Sequence, residues 1–292
     1  MNPISELSNA ITQAVETAAK CVVHVSAGRW GGSTGIIWSA DGHVLTAAHT
    51  LRRSDVAVTL PGGKEVSATL VGRDPSTDLA LLKLEADSLS VPQWAEPEGL
   101  KVGQIVLALG WPGKALRATM GVLSNLGSEW RTPMGGRLER YIQPDISVYP
   151  GFSGGPLVDA EGRVLGLNTY ALRRDLPLTI PVPTLKRITE RLMQHGATGR
   201  AYLGVSAQPV RLPEGGAQER GLLVVSVEPS GPAAQGGLLL GDVLLSVGDK
   251  PLHRMEDLLF HLSEMQAGSA APFKLWRGGQ TLELSVTLGE RK

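Results

Sequence analysis

The residues best suited to do chemistry in this sequence lie in a glycine-rich hexapeptide, GFSGGP, at positions 151–156. A nucleophilic serine needs a tight backbone turn whose own amides can point at an oxyanion, and a glycine two residues earlier leaves that approach open. Ser153 is therefore a candidate nucleophile, with the backbone N–H groups of Gly151 and Ser153 as oxyanion donors. The hexapeptide alone is also compatible with a surface serine in a turn.

Two upstream residues complete a candidate catalytic triad. His49 ends the apolar segment LTAAH at 45–49, and Asp78 directly precedes the apolar segment LALL at 79–82. Each signal is weak by itself, because a lone histidine beside a strand is usually structural. Together with Ser153 they follow the order His, Asp, Ser of the chymotrypsin-type triad. We therefore predict that His49 is the general base, that Asp78 orients its ring, and that Ser153 attacks the substrate.

A different hydrolase fold also contains part of this pattern. Residues 151–155 match G-x-S-x-G, the nucleophile elbow of α/β-hydrolases. That fold requires a helix directly after the serine and the chain order Ser, acid, His. Here the sequence PLV at 156–158 resumes a strand pattern, and the better histidine lies upstream. The sequence therefore favours a peptidase over an esterase.

The segments that must position these residues are short and apolar. Gly, Pro or Asp-Gly turns separate them, and the runs lie at 34–38, 44–47, 56–60, 79–84, 105–109, 120–126 and 164–170. Many short strands at this spacing predict an all-β barrel or sandwich rather than alternating strands and helices. The span is sufficient for two barrels of about six strands each.

Helical periodicity flanks this region on both sides. A helix is predicted over 4–19 from apolar residues three or four apart, namely Ile4, Leu7, Ile11, Val15 and Ala18. A second helix is predicted from Pro183 to Gly196, with an apolar face made of Leu185, Ile188, Leu192 and Met193. Between the first helix and the strands, Cys21 lies in the alternating segment CVVHV, which predicts a buried strand thiol rather than a reactive one.

The length of 292 residues predicts two domains. The last part of the chain has the pattern of a small α+β module, with strands at 222–227, 273–276 and 282–288, a turn at 231–234, the segment GDVLL at 241–245 and a helix near 255–265. A linker is expected near 199–202. The predicted organisation is an N-terminal helical segment at 1–20, a β-rich domain at 21–196 and the α+β module at 200–292.

Charge and composition exclude several classes of protein. Lysine plus arginine and aspartate plus glutamate number 28 each, so no net field favours a nucleic-acid backbone or an anionic membrane. The histidines are scattered, no H-E-x-x-H motif occurs and no glycine-rich phosphate loop follows a strand, so neither a metal nor a cofactor is expected. The N-terminus has no basic start and no apolar run of signal-peptide length, which predicts a cytoplasmic protein for the chain as given.

Sequence blocks along nearly the whole chain resemble those of the HtrA/Deg family of trypsin-like serine proteases, in that family's order. The blocks are TAAH at 46–49, STDLALLK at 76–83, ALGWPG at 108–113, GVLS at 121–124, IQPD at 142–145, GFSGGPL at 151–157 and GLNT at 166–169. The resemblance implies a mainly β fold, a chymotrypsin-like double β-barrel followed by a small α+β PDZ domain. It also implies an endopeptidase that cleaves unfolded or exposed protein segments and assembles as a homotrimer.

The PDZ resemblance rests on the sequence YLGV at 202–205 and on the segments that follow it. In PDZ domains such a loop meets the terminal carboxylate of a peptide, and the peptide adds a strand to the sheet edge. The resemblance assigns peptide binding to Tyr202, Leu203, Gly204 and Val205, and the other wall of the groove to the helix at 255–265. The expected partners are unfolded protein or peptide substrates and peptide C-termini, with no nucleic acid.

The resemblance also suggests the residues that set substrate specificity. Ser147 falls where trypsin-like folds place the base of the primary pocket, which predicts a neutral pocket for small or medium apolar side chains. Leu167, Asn168 and Thr169 are expected in another pocket wall, and residues 167–170 in an edge strand that pairs with the substrate backbone.

Two positions depart from the family pattern. Phe152 and Tyr149 stand where the family usually carries asparagine. A catalytically weak chaperone or PDZ adaptor on a protease scaffold therefore stays as the alternative function. Segments 113–119 and 128–138 correspond to regulatory loops in HtrA-like enzymes, and plain surface loops fit these two segments equally well.

Overall fold

The computed structural model describes residues 2–26, 32–51, 56–147, 149–173, 176–195, 200–212 and 218–291. The chain folds as two units, and the segment 131–136 groups with the second. The first unit comprises Met1–Trp130 and Arg137–Ala197, and the second unit comprises Arg131–Gly136 and Thr198–Lys292. The sequence-based domain boundaries stay predictions, and the expected linker start lies outside the described ranges.

The first unit opens with helix α1 (Pro3–Ala19), close to the predicted 4–19. The side chain of Asn2 caps it by accepting a hydrogen bond from the Ile4 N–H at 3.0 Å, and proline occupies the first turn, where its missing N–H costs nothing. Ala14 and Ala18 are buried, whereas Ile4 at the start of the same face is exposed. Only the C-terminal half of the helix therefore packs on the core.

Short apolar strands then close into an antiparallel barrel, with hydrogen-bonded neighbours in the order β1-β2-β3-β6-β5-β4. They are β1 (Val22–Ser26), β2 (Ser33–Ile37), β3 (His43–Ala47), β4 (Val56–Thr59), β5 (Glu65–Asp74) and β6 (Leu79–Leu84). Ala47 at the end of β3 is paired with Leu79 at the start of β6. This register matters for function, because His49 follows β3 and Asp78 precedes β6.

The rest of the first unit is a six-stranded antiparallel sheet in the order β11-β8-β7-β12-β13-β14. It consists of β7 (Ile105–Gly110), β8 (Arg117–Gly127), β11 (Tyr141–Asp145), β12 (Pro156–Val158), β13 (Val164–Thr169) and β14 (Leu178–Pro181), and a separate pair is formed by β9 (Trp130–Arg131) and β10 (Arg137–Leu138). The end strands β11 and β14 contact each other, so the sheet curls into a second barrel that hydrogen bonds do not close.

Helix α2 (Val182–His195) follows β14 and packs against β5, β6, β13 and β14. Leu185, Ile188 and Leu192 are fully buried as predicted. The prediction for Met193 is wrong, because its side chain is 42% exposed: it lies one residue beyond Leu192 and is turned away from the apolar face. Arg191 anchors the helix to the end of β5, with its Nη2 2.7 Å from Oδ2 of Asp74.

Cys21 lies in the turn just before β1 rather than within the strand. It is buried as predicted, and its thiol donates to the Ala18 carbonyl at 3.0 Å. Burial raises the pKa of the Cys21 thiol to about 12. The thiol therefore stays protonated at neutral pH, as expected for a structural cysteine.

The second unit contains a five-membered strand path, β16-β17-β18-β20-β21, in which β16 is an edge strand. Its strands are β15 (Arg200–Tyr202), β16 (Val205–Arg211), β17 (Arg220–Val227), β18 (Val243–Val247), β19 (Lys250–Pro251), β20 (Ala270–Arg277), β21 (Gln280–Thr287) and β22 (Gly289–Arg291), and its helices are α3 (Pro232–Gln235) and α4 (Met255–Ser263). Its own core centres on the fully buried Phe273. None of the helices in the described ranges combines the length and apolar character needed to cross a membrane.

Candidate active site

An acid–base pair forms where β3 and β6 lie side by side. The Asp78 carboxylate accepts two hydrogen bonds from His49, one from the backbone N–H to Oδ1 at 2.9 Å and one from ring atom Nδ1 to Oδ2 at 2.8 Å. Because a carboxylate only accepts, Nδ1 of His49 carries a hydrogen, and Nε2 is the ring nitrogen left to take a proton from a nucleophile. The Asp78 side chain is 4% exposed and that of His49 is 40% exposed. The ring can therefore reach a substrate while its partner stays buried.

Asp78 is itself held from two directions. Its backbone adopts a φ of 60°, a left-handed conformation that aspartate tolerates, and its carbonyl accepts the Ala48 N–H at 3.0 Å. The hydroxyl of Thr169, the last residue of β13, donates to Asp78 Oδ2. Both sheets of the first unit therefore fix the position of the carboxylate.

Ser153 follows a tight turn in the loop between β11 and β12. The Phe152 N–H donates to the Tyr149 carbonyl at 3.0 Å. Pro150 and Gly151 are the central residues of this turn, and Gly151 has a φ of 90°. Proline followed by glycine with positive φ is typical of a type II turn. A Cβ atom on Gly151 would also lie only 2.5 Å from the Cβ of Pro112, so both backbone conformation and space require glycine.

Two backbone amides beside the serine are available to a substrate. The N–H groups of Gly151 and Ser153 donate to no acceptor in the described ranges, although Ser153 is buried. A sheltered N–H without a partner is costly, and an oxyanion would satisfy both donors. The same ranges contain no hydrogen bond between Ser153 and His49. Contacts of this kind often tighten only when substrate is bound.

Phe152 anchors the loop beneath the nucleophile. Its ring is fully buried in an apolar cluster of Ala95, Val106, Ala108, Leu123, Ile142, Ile146, Leu157 and Leu165. A Cβ atom on Gly110 would lie 2.5 Å from the ring, so glycine at this position of β7 makes room for the phenylalanine. Hydrophobic burial therefore holds the residue that precedes Ser153, where the family usually has a polar side chain.

The second unit contains a groove beside the free edge of β16. A cavity of about 110 Å³ is lined by Ala201, Tyr202, Leu203, Gly204, Val205, Met255, Leu258, Leu259 and Leu262. Gly204 has a φ of 83°, and its carbonyl accepts the Glu228 N–H at 2.9 Å. One wall of the cavity thus comes from the loop before β16 and the other from α4, with apolar side chains between them.

Two domain families match the two parts of the chain. Trypsin-like peptidase domains match residues 33–167, and PDZ domains match residues 201–288. The probable periplasmic serine endoprotease DegP-like of Halomonas elongata is 35% identical over 268 residues, which cover 88% of this chain and 56% of that protein. The putative serine protease HhoB of Synechocystis is 34% identical over 277 residues, which cover 89% and 66%. The chain spans about half the length of the DegP-like relatives it matches.

Solved structures extend the similarity to the full fold. The serine endoprotease from Yersinia pestis is 30% identical with a TM-score of 0.76, and the match covers 97% of this chain and 98% of that one. The HtrA-type protease AlgW with tripeptide is 31% identical with a TM-score of 0.73, covering 97% of both chains. The chain belongs to the HtrA family of serine proteases. The predicted family and fold class, a chymotrypsin-like double β-barrel followed by a PDZ domain, are therefore confirmed.

The residues expected in the HtrA substrate pocket lie in different environments. Ser147 is exposed just after β11. Leu167 is part of the core, the Asn168 side chain accepts the Thr179 hydroxyl at 2.8 Å, and Thr169 binds Asp78. Their pocket role stays a prediction. The expected edge strand over 167–170 is wrong at Leu167 and Asn168, because β14 pairs with them on one side and residues 154–156 bond to them on the other. For residues 169–170 it stays a prediction.

The segments that correspond to HtrA regulatory loops contain the start of one strand and a two-stranded pair. Residues 113–119 lead from the turn after β7 into β8, and residues 128–138 include β9 and β10. Within the second unit, the guanidinium of Arg131 lies 3.8 Å from the ring centroid of Phe260. A regulatory role for either segment stays a prediction.

Sequence reasoning missed the roles of two threonines. The Thr169 hydroxyl donates to Asp78, and the Thr34 hydroxyl donates to the Gly151 carbonyl at 2.6 Å. The bonded partners are 91 and 117 residues apart, so no local spacing could reveal either contact. The available signal was that each is a threonine in a largely apolar segment.

Proposed function

We propose that this chain is a serine endopeptidase that hydrolyses peptide bonds in unfolded or exposed protein segments. The observation that carries the proposal is the 2.8 Å bond from His49 to Asp78, in the same unit as a Ser153 turn with two amides that have no acceptor among the described residues. Acyl transfer needs a base, an orienting carboxylate, a nucleophile and an oxyanion hole, and these residues can supply each of them.

In this mechanism Nε2 of His49 removes the proton from the Ser153 hydroxyl as Oγ attacks the carbonyl carbon of the scissile bond. The N–H groups of Gly151 and Ser153 stabilise the negative oxygen of the tetrahedral intermediate. The protonated His49 then gives its proton to the leaving amine, and an acyl-enzyme remains. Water, deprotonated by the same ring, hydrolyses this ester and regenerates Ser153.

Cleavage of unfolded casein, followed by mass spectrometry of the fragments, tests the proposal. We expect the wild-type protein to cleave, and the Ser153→Ala and His49→Ala variants to lose cleavage. His43→Ala is a matched control, because His43 lies in the same barrel and pairs with Asp41 rather than with Asp78. Cleavage retained by Ser153→Ala would exclude the assignment, and the fragment ends would define the residue that the pocket prefers.

We further propose that the PDZ domain captures peptide C-termini. The proposal is supported by the position of β16 at the end of the strand path among the described residues. The apolar cavity beside it is lined in part by residues 202–205. A peptide added to this edge would gain backbone hydrogen bonds, and an apolar last side chain would fill the cavity. We expect a peptide with an apolar C-terminal residue and a free carboxylate to bind, and its C-terminally amidated form to bind much more weakly. Equal affinity for both would contradict carboxylate capture.

Phe152 supports the alternative of a weakly active chaperone or adaptor only through its departure from the family pattern. Its burial favours an ordered loop instead, because the ring is held by apolar contacts. Suppression of aggregation by wild-type protein that cleaves no substrate would favour the alternative.

Assembly and compartment are proposals as well. We propose a homotrimer on the strength of family membership, and light scattering after size exclusion should give three times the 30.9 kDa chain mass. The cytoplasmic location expected from the sequence stays a prediction, whereas the DegP-like relatives are named periplasmic. Fractionation of cells that express the native gene distinguishes the two compartments.

A further inference from the structure

Thr34 of β2 bonds to both residues that supply the oxyanion amides. Its hydroxyl donates to the Gly151 carbonyl at 2.6 Å, and its backbone N–H donates to the Ser153 carbonyl at 3.2 Å. Thr34 is fully buried in the closed barrel, so these bonds are shielded from water. One residue of the first barrel therefore holds the loop on both sides of Phe152.

The direction of the hydroxyl bond follows from the neighbours of Thr34. The backbone N–H of Trp111 lies 2.7 Å from Thr34 Oγ1 and can only donate. The hydroxyl must therefore accept from Trp111, and its single hydrogen goes to the carbonyl of Gly151. The Thr34 carbonyl in turn accepts the hydroxyl of Thr46 at 2.7 Å. Thr46 lies in β3 just before His49, so the same network connects the base strand to the nucleophile loop.

These bonds restrict the peptide units around Gly151. The Gly151–Phe152 peptide is held at both ends, its carbonyl by Thr34 and its N–H by the carbonyl of Tyr149. The adjacent Pro150–Gly151 peptide carries an oxyanion N–H, and its orientation is what separates a type II turn from a type I turn. Because the Gly151–Phe152 peptide is fixed, the Gly151 N–H can rotate only if the turn changes type. Without the Thr34 hydroxyl, the whole turn can tilt.

We infer that Thr34 is a positioning residue for the oxyanion hole, a role that rests on the proposed peptidase function. It does not contact the substrate, and it acts through the carbonyls of Gly151 and Ser153. An oxyanion forms only in the transition state, so loss of this support lowers kcat and leaves KM nearly unchanged.

Thr34→Val removes the hydroxyl and keeps the shape of the side chain. We expect kcat on a chromogenic peptide to fall about 10- to 100-fold, somewhat less than the loss of a whole oxyanion donor, with KM within about threefold of wild type. Thr34→Ser keeps the hydroxyl and should stay within about threefold of wild-type kcat. The rate of phosphonylation of Ser153 by a peptidyl phosphonate ester should fall in the valine variant and recover in the serine variant.

Thr184→Val is the matched control. Thr184 is also fully buried in the first unit, and its hydroxyl also accepts a backbone N–H, from Glu139, and donates to an oxygen, the Glu139 carboxylate. It should lose stability with unchanged kcat. If Thr34→Val does not fold, Thr34→Ala is measured instead with the same expectation. The inference is wrong if the folded hydroxyl-free variant keeps wild-type kcat, or if Thr34→Ser loses as much as Thr34→Val. Absence of cleavage by wild-type protein would instead reject the proposed function, and the inference with it.

Discussion

The two regions proposed to bind peptides differ in the chemical groups that form them. The candidate active site consists of polar groups held by hydrogen bonds of 2.6–2.9 Å, between His49 and Asp78 and between Thr34 and Gly151. The PDZ groove is an apolar cavity between a glycine-containing loop and α4, next to a free strand edge. Catalysis depends on the position of single atoms, whereas peptide capture depends on area and backbone pairing. Single substitutions should therefore affect the first region far more than the second.

Among the substitutions that compare the two regions, the largest effect is expected for Asp78→Asn. The amide can donate to Nδ1 of His49 and so stabilise the wrong ring tautomer, and kcat should fall by about 10⁴-fold. Peptide affinity at the PDZ domain should not change, and steady-state kinetics with parallel fluorescence binding measures both. Asp159→Asn is the control, because Asp159 is a buried carboxylate that pairs with Arg163 away from the site. A loss below tenfold in kcat would show that the bond to His49 is not needed.

Phe152→Ala should destabilise the first unit by about 3–5 kcal/mol, as expected for loss of a fully buried ring. It should also lower kcat, because the removed ring anchors the nucleophile loop. Phe273→Ala removes an equally buried ring from the core of the second unit. That variant should lose comparable stability in denaturant unfolding while its kcat on a short peptide is kept. Equal kcat losses in both variants would mean that the loop has no special dependence on Phe152.

Met255→Glu should weaken peptide binding at the groove about tenfold, equivalent to about 1.4 kcal/mol, because it places a charge in an apolar cavity near the peptide carboxylate. Met255→Leu keeps the apolar wall and serves as the control. Isothermal titration calorimetry gives the affinities, and kcat on a short chromogenic peptide should be the same for both. If affinity is unchanged in Met255→Glu, the cavity is not where the last side chain binds.

The smallest effect concerns the pH dependence of the stability of the second unit, to which His261 contributes. Burial, followed by the positive charges of Lys250 and Arg131, lowers the pKa of His261 in α4, and Glu264 and Asp257 oppose this shift. The folded second unit therefore binds this proton less readily than the unfolded chain, whose histidine pKa is about 6.5. The stabilisation by neutral His261 is therefore complete above a pH of about 6.5 and is lost as the pH falls below that value.

His261→Gln should therefore make the unfolding midpoint of the second unit less dependent on pH between 7.5 and 5. Denaturant unfolding followed by a probe in this unit measures the midpoint. His253→Gln is the control, because His253 precedes α4 and lies outside its buried face. An unchanged pH profile in His261→Gln would show that His261 is not the group responsible.

The strands that the sequence revealed are those with continuous apolar runs, such as β3, β6, β7 and β13. It did not reveal β5 (Glu65–Asp74), β11 (Tyr141–Asp145), β14 (Leu178–Pro181) or β16 (Val205–Arg211). β5 and β16 are largely polar or half-exposed, so they lack an apolar signal, and pairing with neighbouring strands makes them extended. The apolar face of α2 was predicted one residue too wide at Met193, because a helical turn brings only some neighbours to the same side.

The sequence by itself determined the chemistry available to this protein. It contains a serine with small neighbours, a histidine and an aspartate in triad order, and a PDZ loop, because the type and order of these residues carry the signal. Tertiary structure alone decided which groups hold them. Thr34, Thr169 and Phe152 reach the site through strand register and core packing, with bonds that span 117 residues for Thr34 and 91 for Thr169. Contacts over such separations form only when the barrel closes and the second sheet packs beside it.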